Sequence, residues 1–93
     1  MNRYETIYII KPSVTEESLK AIVEKFRGII EADGEIETID DWGKRKLAYL
    51  IDDIGEGFYV YMKYKADTAV PKELERVFGI TEDILRSMTI KLD

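Results

Sequence analysis

The sequence predicts an α+β fold: a four-stranded antiparallel sheet with two helices on one face. Three observations predict it. Leu19, Ile22, Val23, Phe26, Ile29 and Ile30 recur at helical spacing. Residues 58–65 alternate with a clear period of two. The two helical stretches are separated by a pair of extended segments, so the order reads strand, helix, strand, strand, helix, strand. That order closes economically as one layer of strands under one layer of helices. A chain of 93 residues has room for one such domain, 1–93, and not for a second core.

Residues 4–10 are rich in Tyr, Thr and Ile, which favour strands, and Pro12, which has no N–H to donate, stops the strand. Ile7 and Ile9 fall on one parity and Tyr4, Tyr8 and Ile10 on the other, so the strand reads as buried on both faces and central in the sheet. Helix signals begin at Ser13 and Thr15; Glu16 stands three residues after Ser13, and Glu17 adds negative charge to the first turn. Gly34 is expected just past the helix end in the left-handed conformation, which places the helix from about 15 to about 33. From 35 to about 51 the pattern is extended but irregular, and far longer than the ~5–6 residues usual for a strand. Gly43 is therefore read as a bulge or bend. Residues 52–57 carry turn chemistry, with Gly55 and Gly57 assigned to the hairpin turn, and 58–65 is the next strand. There Phe58, Val60, Met62 and Tyr64 face the core, with Tyr59, Tyr61, Lys63 and Lys65 opposite. Pro71 suits the first position of a short helix whose Leu74, Val77 and Phe78 face inward and which Gly79 closes. A last strand covers 84–92. This is the split βαβ, or ferredoxin-like, architecture; its two halves share a strand-helix-strand pattern without a residue-level repeat.

Composition narrows the function. A chain of this length buries roughly 60–68% of the surface its unfolded form exposes, enough to fold without metal or disulfide. With no Cys that independence is compulsory, and it fits a reducing, cytoplasmic setting. The start MNRYETIYII has one Arg, an interrupted apolar stretch and no small-residue cleavage site, so it does not read as a signal peptide. No apolar run approaches the ~20 residues that cross a bilayer, and no membrane partner is expected. Fourteen Lys plus Arg against nineteen Asp plus Glu give a net charge of −5, which opposes coating nucleic acid by bulk electrostatics but leaves room for a local basic stripe.

Catalysis would have to proceed without His or Cys, so the usual general base and the common nucleophile pairs are missing. Asp40 and Asp41 are neighbours along an extended segment and point to opposite faces. Asp52, Asp53 and Glu56 lack the spaced ligands and central Gly of a calcium loop. Gly55, Glu56 and Gly57 lack the third Gly of a dinucleotide fingerprint and run into a strand instead of opening a helix. No enzyme, cofactor, metal or small-molecule substrate is expected.

Two features point to RNA. The run Gly57, Phe58, Tyr59, Val60, Tyr61 lies where RNA-recognition motifs stack bases on their third strand, although Glu56 replaces the basic residue that precedes the glycine there, and Tyr59 and Tyr61 read more simply as good strand formers. Lys44, Arg45 and Lys46 form the one run of three basic residues. It reads either as a charged edge strand that discourages pairing with other chains or as a phosphate contact, with Arg45 gripping two oxygens and the lysines acting as point charges.

Arg3, Tyr4, Glu5 leading to Lys11 and Pro12, then 41–49 (DWGKRKLAY), then Leu85, Arg86, Ser87 and Met88 closely resemble, in order and spacing across nearly the whole chain, the bacterial small-subunit ribosomal protein S6 family. The resemblance implies a structural protein of the small ribosomal subunit that binds the central domain of the small-subunit ribosomal RNA together with a small basic partner, ribosomal protein S18. It implies Arg3, Lys44, Arg45, Lys46 and Arg86 as RNA-facing residues, and no catalysis. Net acidity then suits docking of a basic partner on one surface and RNA on another. Family members commonly place Pro where Leu50 stands, and many continue in a charged tail where this sequence stops at Asp93. The competing readings are a stand-alone single-stranded RNA binder using Tyr59 and Tyr61, and a ligand-sensing or dimerising ferredoxin-like domain; fold alone does not separate them.

Overall fold

Thr15 begins the first helix by accepting a hydrogen bond on its hydroxyl from the Ser18 N–H at 3.1 Å, which satisfies one of the donors a helix start leaves unpaired. The computed structural model describes residues 1–92; Asp93, where the sequence stops, lies outside them. The elements are β1 (Asn2–Ile10), α1 (Glu16–Asp33), β2 (Gly34–Ile51), β3 (Ile54–Ala66), α2 (Ala69–Ile80) and β4 (Ile84–Lys91). The strands form one antiparallel sheet in the order β2-β3-β1-β4, so β1 is central and β2 and β4 are the edges. No helix among the described residues is long and apolar enough to cross a membrane.

Both helices cover the same face. Beneath them lie Tyr4, Tyr8 and Ile10 of β1 and Val60, Met62, Tyr64 and Ala66 of β3, closed from above by Phe26 and Ile30 of α1 and Val70, Leu74, Val77 and Phe78 of α2. The Tyr8, Phe26 and Phe78 rings meet with centroids 4.3–5.2 Å apart, in tilted arrangements that favour aromatic pairs. Thr6 is buried on this face, and its hydroxyl is shared with Tyr64 Oη and Thr89 Oγ1, each at 2.9 Å, tying three strands together.

β1 is central, as its two-sided apolar pattern predicts, and on the side without helices Ile9 is buried and Ile7 half-buried. Three expectations change. Gly34 is extended (φ −155°) and already the first residue of β2. It is glycine because a Cβ there would lie 2.7 Å from the Lys65 carbonyl oxygen, so helix passes into strand with no loop. The hairpin turn is Asp52–Asp53, with φ +50° and +64°, closed by Ile51 paired with Ile54; Gly55 and Gly57 lie inside β3. Two consecutive positive φ values match the twist of the flanking strands, and aspartate tolerates them better than most side chains. Finally, α2 starts two residues before Pro71 and runs through Gly79 to Ile80, where the Thr81 hydroxyl donates to the Val77 carbonyl at 2.6 Å.

Candidate nucleic-acid interface

The sheet face without helices carries the site, and its shape comes from the pairing of β2 with β3. That register shifts three times, between Ile36 and Thr38, between Asp41 and Gly43, and between Lys46 and Ile51. Each shift puts extra residues on the edge strand and bends it. At the second, Gly43 takes φ +77°, a left-handed value that suits glycine, and its N–H donates to the Asp41 carboxylate at 2.8 Å. At the third, residues 47–50 stand against Gly55 alone, because the ladder resumes only at Ile51. The surplus chain arches over the open face as a roof.

Roof and sheet enclose a cleft of about 270 Å³ lined by Ile7, Ile9, Leu47 and Met88, with Trp42, Tyr49 and Tyr59 as aromatic walls. The strands under it approach closely because residue 57 is glycine: a Cβ there would meet Ile9 Cγ2 at 2.5 Å and the Ile10 carbonyl oxygen at 2.9 Å. Met88 is itself 52% exposed, and outside the cleft Leu50 and Ile90 add exposed apolar surface, at 63% and 48%. Asp52, Asp53 and Glu56 stand at the arm's tip, and none of them enters an ion pair among the described residues.

The structure splits the basic run. The Lys44 ammonium lies over the Phe58 ring at 5.4 Å, on the helix side. Arg45 turns to the cleft side: its Nε donates to the Trp42 carbonyl at 3.2 Å and its guanidinium covers the Trp42 ring at 5.4 Å. Lys46 is exposed opposite Glu56. Arg86 stacks over Tyr49 at 5.5 Å across the cleft. Gly43, Tyr59, Ile9 and Arg86 form one row across the four strands, so Arg86 and Arg45 flank the cleft at the same end of the sheet.

Arg3 lies elsewhere. It pairs with Lys65, six positions along β1 from the residue opposite Arg86, or roughly 20 Å away. Its Nε and Nη2 donate to the two oxygens of Glu37 at 3.1 and 3.0 Å, and this contact holds the Glu37 carboxyl below its usual range. Among the exposed-face tyrosines, Tyr61 donates its hydroxyl to the Glu5 carboxylate, which, followed by burial, pushes it up to about 12. Its ring stacks against Trp42, with centroids 5.4 Å apart and planes 7° from parallel, and Tyr59 lines the cleft. Trp42 covers one face of the Tyr61 ring, and the Tyr59 ring forms part of the cleft wall.

Sequence reasoning missed the cleft, although one signal pointed to it: an extended segment too long and too irregular for a flat strand, with Gly43 inside it. The Arg3–Glu37 pair had no comparable local signal, since the two residues are far apart in sequence.

The chain is similar to known proteins over nearly its whole length. Residues 3–91 match the family described as ribosomal protein S6. Small ribosomal subunit protein bS6 of Clostridium botulinum is 52% identical over 91 residues, covering 97% of each chain. The bS6 protein of Alkaliphilus oremlandii is 50% identical over 93 residues, covering 100% of this chain and 99% of its own. The crystal structure of 30S ribosomal protein S6 from Thermotoga maritima superposes with a TM-score of 0.92 at 34% identity, covering 98% of this chain and 87% of that one. A match over nearly every residue, in both sequence and fold, leads to one conclusion: the chain belongs to the ribosomal protein S6 family.

Proposed function

We propose that this chain, a structural and non-enzymatic protein of the small ribosomal subunit in the cytoplasm, binds the central domain of the subunit's RNA together with ribosomal protein S18. In this reading the two partners use neighbouring surfaces. The apolar cleft and its surround take the protein partner, while Arg45 and Arg86, with Lys44 and Lys46 on the same arm and Arg3 at the far end, take phosphate.

The observation that carries this reading is the cleft itself, an apolar surface bordered by two arginines on a chain of net charge −5. The lining is mainly aliphatic and aromatic, with polar side-chain groups only on Trp42, Tyr49, Tyr59, Arg86 and Ser87, which suits an apolar side chain with a polar border. The acidic tip at Asp52, Asp53 and Glu56 favours a cationic protein beside it. Phosphate contacts by the arginines position the RNA without reading its sequence.

The test is RNA binding by the central domain, with and without S18, over a range of salt. The chain alone should bind weakly and S18 should tighten it; by reciprocity, RNA should tighten the protein pair by the same factor. Equal RNA affinity with and without S18 would overturn the reading. If Tyr59→Ala abolished binding while Arg45→Glu left affinity and salt slope intact, the base-stacking alternative would replace it.

A further inference from the structure

The guanidiniums of both arginines that flank the cleft lie over aromatic rings that also form its walls. Arg45 covers Trp42 at 5.4 Å, and Arg86 covers Tyr49 at 5.5 Å. A guanidinium held over a ring keeps N–H groups for phosphate: Arg45 commits Nε to the Trp42 carbonyl, which leaves its two terminal nitrogens to grip two oxygens. The two platforms are anchored unequally. Trp42 is itself stacked on Tyr61, whose hydroxyl is held by Glu5. Tyr49 sits in the roof of residues 47–50, which have no register partner on β3, and is 57% exposed. Its position depends on what lies beneath.

Resting on the reading that the protein partner occupies the cleft, we infer that Trp42 and Tyr49 are positioning residues for RNA binding: an apolar side chain of the cationic partner, seated between roof and sheet, immobilises the two rings and thereby fixes the forks of Arg45 and Arg86 for phosphate. Partner binding then raises RNA affinity by preorganisation, separately from the charge the partner adds. A platform already ordered by the first partner removes part of the ordering cost from the second. Each exposed arginine–aromatic stack is worth a factor of about two to five in equilibrium, so the pair supplies a modest coupling.

The two sources of coupling respond differently to salt. The contribution from added charge falls steeply as salt rises, whereas a packing contribution persists. The experiment measures the affinity of purified S18 for the chain, then RNA affinity with and without S18 at low and high salt, for the wild type and for Tyr49→Leu, Tyr49→Phe, Trp42→Leu and Trp42→Phe. We expect Tyr49→Leu to leave the thermal midpoint close to wild type, to weaken S18 binding because the ring walls the cleft, and, at S18 concentrations that saturate each variant, to cut the S18-induced gain in RNA affinity by about two- to fivefold, most visibly at high salt. Tyr49→Phe should restore the gain, because it keeps the ring. Trp42→Leu should act in the same direction and Trp42→Phe should recover part of it. If wild type shows the gain and both leucine variants retain it in full at high salt, the positioning role is wrong and charge alone couples the partners. If wild type shows no gain, the docking reading beneath it has failed as well.

Discussion

The two ends of the open sheet face solve the same problem in different ways. At the end where β1 begins, charged side chains meet opposite partners within the chain: Arg3 grips Glu37, Glu5 accepts from Tyr61, Lys63 stands opposite Glu5, and Lys65 opposite Glu35. At the other end the face is apolar, the edge strand bulges outward to cover it, and large side chains remain exposed. A sheet face without helices can thus satisfy itself by pairing charges or remain an unfilled apolar surface, and only the second asks for a partner. Cations on one face therefore differ in role: the guanidinium of Arg3 is shared with a carboxylate, whereas those of Arg45 and Arg86 are carried on aromatic rings.

The largest expected effect tests what lets the cleft end close. Gly57→Ala drives a Cβ into Ile9 and the Ile10 carbonyl, with no flexible tip to yield at the backbone oxygen. Overpacking of this kind should cost about 2–3 kcal/mol, seen as a fall of roughly 10–20 °C in thermal midpoint. Lys65→Ala at the charged end should change stability by no more than about 0.5 kcal/mol. Comparable losses from both would erase the contrast.

Next comes partner binding. Met88 is 52% exposed on the cleft side, so Met88→Asp should leave the fold nearly intact and weaken S18 binding by about tenfold or more, as for loss of an apolar anchor. Lys63→Ala should leave that affinity unchanged. A titration in which Lys63→Ala weakens S18 more than Met88→Asp would assign the partner to the wrong end of the sheet.

RNA binding should separate the arginines. Arg45→Glu should reduce RNA affinity in the presence of S18 by about tenfold, the scale of one charge-assisted contact, and should flatten the salt dependence. Arg3→Gln should have a smaller effect, because Glu37 competes with phosphate for the same fork. Equal losses would mean that Glu37 releases Arg3 on assembly.

The smallest effects lie in the pH limits of the charged end. Tyr61 is raised to about 12, first by its bond to Glu5, so this contact stabilises the fold below the ordinary tyrosine value of ~10 and is lost as pH rises through about 12. Glu5→Gln should move the phenolate titration, followed by ultraviolet absorbance, back toward the ordinary value. Glu37 is lowered, first by its hydrogen bond to Arg3, so its contribution is present above the usual glutamate range and lost as pH falls through its folded value. Arg3→Gln should therefore flatten the acid limb of a stability–pH curve and leave the alkaline limb alone. Unchanged limbs in both variants would show that the crowded charges are no more than solvated neighbours.

Much of the fold was legible because its signals are local. The stripe from Leu19 to Ile30 and the alternation from Phe58 to Tyr64 repeat every turn or every second residue, and burial follows them. Element ends were less legible because they answer to distant atoms. Gly34 resembles a left-handed cap by position, yet it serves the close approach of Lys65 and Ala66, and Gly79 resembles a stop signal inside a helix that continues to Ile80. The basic run was visible as a run; its division between Lys44 over Phe58 and Arg45 over Trp42 was not.

By itself, then, the sequence determined the order of strands and helices, the helix-covered core, the run of three cations and, through its spaced motifs, the family. Tertiary structure alone decided the cleft, the two aromatic platforms and the separation of Arg3 from Arg86. The physical reason is register. Which residue of β2 faces which residue of β3 is set by long-range pairing and its bulges, and a shift of a few residues between Lys46 and Ile51 turns an exposed edge strand into the roof of an apolar cleft.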